Sequence, residues 1–101
     1  MAISDKALDA ALARYVRACD RLDLIPEGMR VGLAHGSKTY GRAFRVYLTG
    51  VQAADGSYPL GSGHGAPPAG DDCVGMTSQA AFDTLVDRAR TLEDVAYFLG
   101  R

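Results

Sequence analysis

Apolar residues recur along this chain with two different periods. Leu8, Leu12, Tyr15, Cys19 and Leu22 are spaced by three and four, with Ala11 and Val16 beside them, which is the stripe of an amphipathic helix. Ser4 stands before it as an N-cap, Asp5 adds negative charge to the first turn, and Ile3 and Leu8 occupy the two positions of a hydrophobic staple. The spacing predicts an end around Asp20 to Leu22, before Pro26. Phe82, Leu85, Ala89, Leu92, Ala96 and Leu99 make a second stripe, with Thr77 as its cap and Gly100 as its stop. Thr91-Leu92-Glu93-Asp94 is itself cap-like and predicts a bend or restart there.

Between the helices the period falls to two. Met29, Val31 and Leu33 alternate with Arg30, Gly32 and Ala34; Phe44, Val46 and Leu48 alternate with Ala43, Arg45 and Tyr47. These runs predict an antiparallel hairpin with a loop of about six residues, its tip within His35-Gly36-Ser37-Lys38-Thr39-Tyr40-Gly41-Arg42. Gly32, inside a strand, points to a bulge or a close backbone approach. The second strand is expected to run on through Val51 to Ala53. Asp55-Gly56 would then turn it into a third strand at Ser57-Tyr58-Pro59-Leu60, short or at an edge because of Pro59. Residues 61–72 are rich in glycine and proline and predict a loop, and Cys73-Val74-Gly75 a last short strand. The expected fold is α+β over one domain, 1–101: a small antiparallel sheet of two to four strands, in α-β-β-β-α order, with both helices on one face. Phe44, Val46 and Leu48 would face the helices. Arg30, Arg45 and Tyr47 would lie on the other, at least partly open face.

Composition narrows what such a domain does. Length suits one core, and 48% hydrophobic with 23% charged residues is an ordinary globular balance. A net charge of -1 gives no global field for nucleic acid, which leaves a local basic patch as the only electrostatic route to it. The first residues lack the pattern of a signal peptide, and no run is apolar enough for a membrane span, so a cytoplasmic protein with reduced thiols is expected. Cys19, on an apolar stripe, reads as a buried thiol.

The candidate chemistry gathers at the hairpin. His35, Ser37, Lys38, Thr39, Tyr40 and Arg42 supply donors, Gly36 and Gly41 bracket them, and Arg45 and Tyr47 extend the group onto the open face. Lysine as a point charge, arginine as a fork and hydroxyls as neutral donors suit an anion, and a tyrosine can stack on a base. The plain alternative is a solvated turn. Gly36-Ser37-Lys38-Thr39 is not a phosphate loop: Ser37 separates glycine from lysine, and a strand follows instead of a helix. His35, His64, Asp71, Asp72 and Cys73 match no zinc spacing, and neither Ser37 nor Ser62 sits in a nucleophile elbow. No enzyme, metal or cofactor is therefore expected. Gly61-Ser62-Gly63-His64-Gly65 reads as a flexible loop, and Arg14, Arg17 and Arg21 as a solvated ridge balanced by Asp9, Asp20 and Asp23.

The string HGSKTYGRAFRVYL, followed by LGSGHGAPP and CVGMTSQAAFDTL, resembles short uncharacterised proteins of actinobacterial phages. That resemblance implies a small accessory protein acting in the host cytoplasm on host physiology, host defence or phage DNA metabolism. Cys73 to Ala81 is similar to the strand-to-helix junction of HicB-type antitoxins, which implies a shared sheet-plus-helix packing; that family begins with strands and this chain with a helix. Together these readings give a non-enzymatic protein that binds a host protein or a small anionic ligand through the 35–42 tip. The alternatives are a nucleic-acid-binding module and sequestration of a nucleotide signal. A homodimer or larger assembly, through the sheet edge or the helices, is the expected state, with no membrane partner.

Overall fold

Both helices begin where a hydroxyl caps them. Ser4 accepts a hydrogen bond from Ala7 N at 3.1 Å and opens α1 (Asp5–Arg21); Thr77 accepts one from Ala80 N at 3.1 Å and opens α2 (Ser78–Phe98). The fold is that of a computed structural model, which describes residues 3–37 and 41–101. Between the helices lie β1 (Met29–Ser37), β2 (Gly41–Gly50) and β3 (Cys73–Gly75), in the sheet order β1-β2-β3 with both pairings antiparallel. The chain is therefore α+β in α-β-β-β-α order, as the two periods predict.

The helices run side by side in the same direction. Arg14 is bonded to Glu93 and Arg101 to Asp23, so a step toward the C-terminus from α1 is matched by a step toward the C-terminus from α2. That geometry follows from topology: two antiparallel strand steps leave β3 parallel to β1, and each helix returns along its own strand. Leu8, Ala11, Tyr15 and Cys19 of α1 and Ala81, Leu85 and Ala89 of α2 form one buried cluster with Val31, Phe44, Val46 and Val74 of the sheet. Ile3, Leu33 and Leu48 pack against it, half-buried. Cys19 is a free buried thiol, and burial pushes its pKa up.

Several local expectations are corrected. The hairpin strands reach further into the tip than the alternation predicts, because Gly36 and Gly41 take left-handed backbone angles (φ 73° and 68°) and a register shift between His35 and Ser37 lets the ladder continue. Three of the tip residues, Lys38, Thr39 and Tyr40, lie outside the described residues. Strand β2 stops at Gly50, and Ser57 to Leu60 form no strand: Ala53 N bonds to Ser57 O across the Asp55-Gly56 turn, then Gly61 N bonds back to Tyr58 O, and Pro59 has no amide proton to pair. Helix α2 does not restart at Thr91, whose hydroxyl donates to Asp87 O within the helix at 3.0 Å. Arg14 of the basic ridge donates to Glu93 through Nε and Nη2, at 2.9 and 2.7 Å.

Candidate functional site

The expected binding group is divided by the sheet. His35 lies on the helix side, its ring stacked on Phe44 with centroids 3.8 Å apart and planes within 2°. Arg45 and Tyr47 lie on the other side, as strand alternation dictates. Arg42 is exposed on β2 and Ser37 ends β1. The site drawn from sequence thus becomes two neighbouring sites at the root of one hairpin.

The outer one is built in layers. Tyr47 stands opposite Gly32 in the ladder, and its ring lies directly over it: a Cβ on Gly32 would sit 2.4 Å from the ring's Cζ. Gly32 is there for that close approach. His64 then stacks on Tyr47, centroids 3.9 Å apart and planes 17° from parallel. Sequence reasoning left His64 in a flexible loop. The missing signal was the pairing of Gly65 with Leu48, which bond to each other through both amides and fasten the loop to the open edge of β2.

The rest of that loop is tied down along the same edge. Leu60 and Gly61 press on Gly50, whose absent Cβ would meet Gly61 O at 2.6 Å. Val46 N donates to Asp72 O at 2.8 Å, immediately before β3 begins. The segment between bends toward the helices: buried Tyr15 donates its hydroxyl to Ala69 O at 3.0 Å, and Arg88 Nη1 donates to Asp71 O at 2.6 Å. Burial pushes the Tyr15 hydroxyl up to about 12. A stretch of low regular structure is thus held by backbone acceptors at separate points.

These fastenings enclose a cavity of about 330 Å³ on the outer face. Arg45, Tyr47, His64 and Asp72 supply its polar and aromatic wall, and Ala34 and Gly36 carry it to the root of the hairpin. Arg45 Nη1 donates to Asp72 Oδ2 at 2.8 Å, which fixes the guanidinium at the wall. On the helix side a second, shallower cavity of about 450 Å³ lies beside His35, floored by Leu8, Leu33 and Phe44 and rimmed by the first residues of both helices. Among the described residues no three His, Cys, Asp or Glu side chains converge to hold a metal ion, and no helix is long and apolar enough to cross a membrane.

Fold and site together define a small α+β domain with a ligand-sized cavity on the face of the sheet away from its helices. Compared with known proteins, the chain matches no family model, no curated protein and no solved structure.

Proposed function

We propose that this chain is a non-enzymatic binding protein that takes a small anion bearing a flat ring, of mononucleotide type, in the outer cavity at the root of the hairpin. The observation that carries this reading is the Gly32–Tyr47–His64 stack beside Arg45, walling a space of about 330 Å³. That volume falls at the small end of ligand sites, and their usual make-up is an apolar surface with a few fixed polar groups. The stacked rings offer a face to a planar group. Arg45, oriented by Asp72, offers charge to a phosphate or carboxylate, and Lys38 and Arg42 of the adjoining tip add positive charge in the sequence. Among the accessory phage proteins that the sequence resembles, such a protein would act by sequestering a host molecule.

Isothermal titration calorimetry with adenosine monophosphate and with inorganic phosphate tests the reading. Saturable binding of the nucleotide, weakened at least roughly tenfold by His64→Ala and by Arg45→Gln, supports it. The absence of heat with either probe, or binding that both variants retain, overturns it. A basic surface with stacked rings also suits single-stranded nucleic acid. Binding of an oligothymidylate that falls steeply with salt, in preference to the mononucleotide, would move the function to that class.

A further inference from the structure

Strand β1 has a neighbour in the sheet on one side only. In an antiparallel ladder, two residues opposite each other either bond together or both turn away. Leu48 bonds to Gly65 through its N–H and its C=O, and Val46 N donates to Asp72 O, so both turn away from β1. Val31 and Leu33, which stand opposite them, therefore aim their own N–H and C=O groups outward, and alternation adds His35. Among the described residues no backbone group bonds to these three on the open side. Proline and bulges are common guards of such an edge, and the stretch from Met29 to His35 contains neither.

The edge also has a roof. Helix α1 packs over β1 and α2 over β3, and Arg14 reaches from α1 toward α2, where Glu93 holds it. The flank of α1 opposite Arg14 therefore overhangs the open edge. Asp5, Asp9, Leu12, Val16 and Asp20 follow one another at steps of three and four along that flank. Leu12 and Val16 are half-buried against the core, and the three aspartates are exposed. At the hairpin end the overhang opens into the helix-side cavity of about 450 Å³, whose lining includes Asp5, Leu33 and His35.

We propose that this slot takes an extended basic segment of a partner protein as a fourth strand, with lysine or arginine at alternate positions. The outward amides and carbonyls of Val31, Leu33 and His35 supply the main-chain bonds. Every second side chain of the added strand rises on the helix side. There it meets Leu12 and Val16 close to the sheet and the aspartates further out. A lysine or arginine matches that order, with an aliphatic stem and a charged head. A second copy of β1 does not fit. It would carry its own α1 on the same side of the sheet, about 4.8 Å from the first, whereas packed helices stand roughly 8–10 Å apart. The acidic flank equally disfavours a nucleic acid. The inference is independent of what the outer cavity binds.

Nuclear magnetic resonance titration of the full chain with a capped peptide of about eight residues, lysine alternating with threonine, tests it. Saturable shifts and slowed exchange at the amides of Val31, Leu33 and His35 are the expected result. Asp9→Asn with Asp20→Asn, both sites exposed, should weaken binding roughly tenfold with unchanged circular dichroism. Methylation of alternate peptide nitrogens keeps the charge, removes the main-chain donors and should weaken binding at least as much. No shift up to about 1 mM peptide overturns the proposal. So does equal binding of the methylated peptide, which would leave charge alone as the cause, or equal binding of a peptide with glutamate in place of lysine. Protection of the same amides that grows with protein concentration, without peptide, would overturn it in favour of a second copy.

Discussion

The two faces of the three-stranded sheet are closed by different means. On the inner face, Val31, Phe44 and Val46 meet the stripes of two helices, and closure is side chain against side chain. On the outer face closure comes from an edge loop whose fastenings are mostly backbone groups: Gly65 to Leu48, Asp72 to Val46, and Ala69 and Asp71 to Tyr15 and Arg88. The first kind of closure packs the middle of the sheet tightly, because apolar side chains fill whatever gap the backbone leaves, and leaves open space only at the rim beside the helix N-termini. The second leaves a cavity, because a chain held by its backbone at a few points cannot fill the space between them. A cavity on the outer face is the physical consequence of covering a sheet with a loop.

The comparison can be broken at its strong side first. Leu85→Ala removes a fully buried side chain from the helix layer, and urea unfolding should show a loss of about 2–5 kcal/mol. The outer closure should yield more cheaply. Gly50→Ala sets a methyl group against Gly61 O, and a loss of about 1–3 kcal/mol is expected. Faster amide exchange at Leu48 and Gly65, with protection kept along α1, would show that the edge loop lifts while the inner core stays closed.

Tyr15 belongs to both closures, its ring in the core and its hydroxyl on the loop, and it sharpens the contrast by pH. Burial raises its folded pKa to about 12, above the ordinary value of 10.0. A raised value means that the associated stability is complete below pH about 10 and is lost as pH climbs toward about 12. Tyr15→Phe should lower the neutral plateau by about 1 kcal/mol and remove that alkaline fall, read by urea titrations at several pH values. Glu93 touches neither face and serves as the control. Its bond to Arg14 holds the carboxyl below the usual glutamate range, so what the pair contributes is present above that range and lost as pH falls through the lower folded value. Glu93→Gln should flatten that acid limb in a series of acid melts. It should do little else, since the pair is partly exposed.

What could be read from the chain beforehand divides along the same line. Helix stripes, caps and strand alternation are local, and Ser4, Thr77, Leu85 and Val46 declare their roles by residue type and spacing alone. The Asp55-Gly56 turn suggests a hairpin that returns through Ser57 to Leu60, but Pro59 and the Tyr58–Gly61 turn decide the matter against pairing. The binding group was drawn as a line of neighbours, yet alternation sends His35 and Tyr47 to opposite faces. His64 reads as part of a flexible loop because its partner Tyr47, and the Leu48 backbone that holds neighbouring Gly65, are distant in sequence, and no period marks a contact between a loop and a strand edge. Gly32 did carry a visible signal. A glycine within a strand asks for a close approach, and only the fold shows that the approaching group is Tyr47.

The side-by-side, same-direction packing of α1 and α2 has a consequence for how the chain acquires its structure. Helix α1 finds its principal partner in α2, which follows the whole sheet along the chain. During synthesis α1 emerges with Leu8, Ala11, Tyr15 and Cys19 uncovered, and a lone helix of this length is marginal in water. The strands that follow cannot shield it well without α2, and the loop to be closed between the helices spans most of the sequence, an entropic cost that falls before any of the return. Folding of the domain therefore waits on the synthesis of α2. Until then α1's apolar stripe is a natural client surface for chaperones.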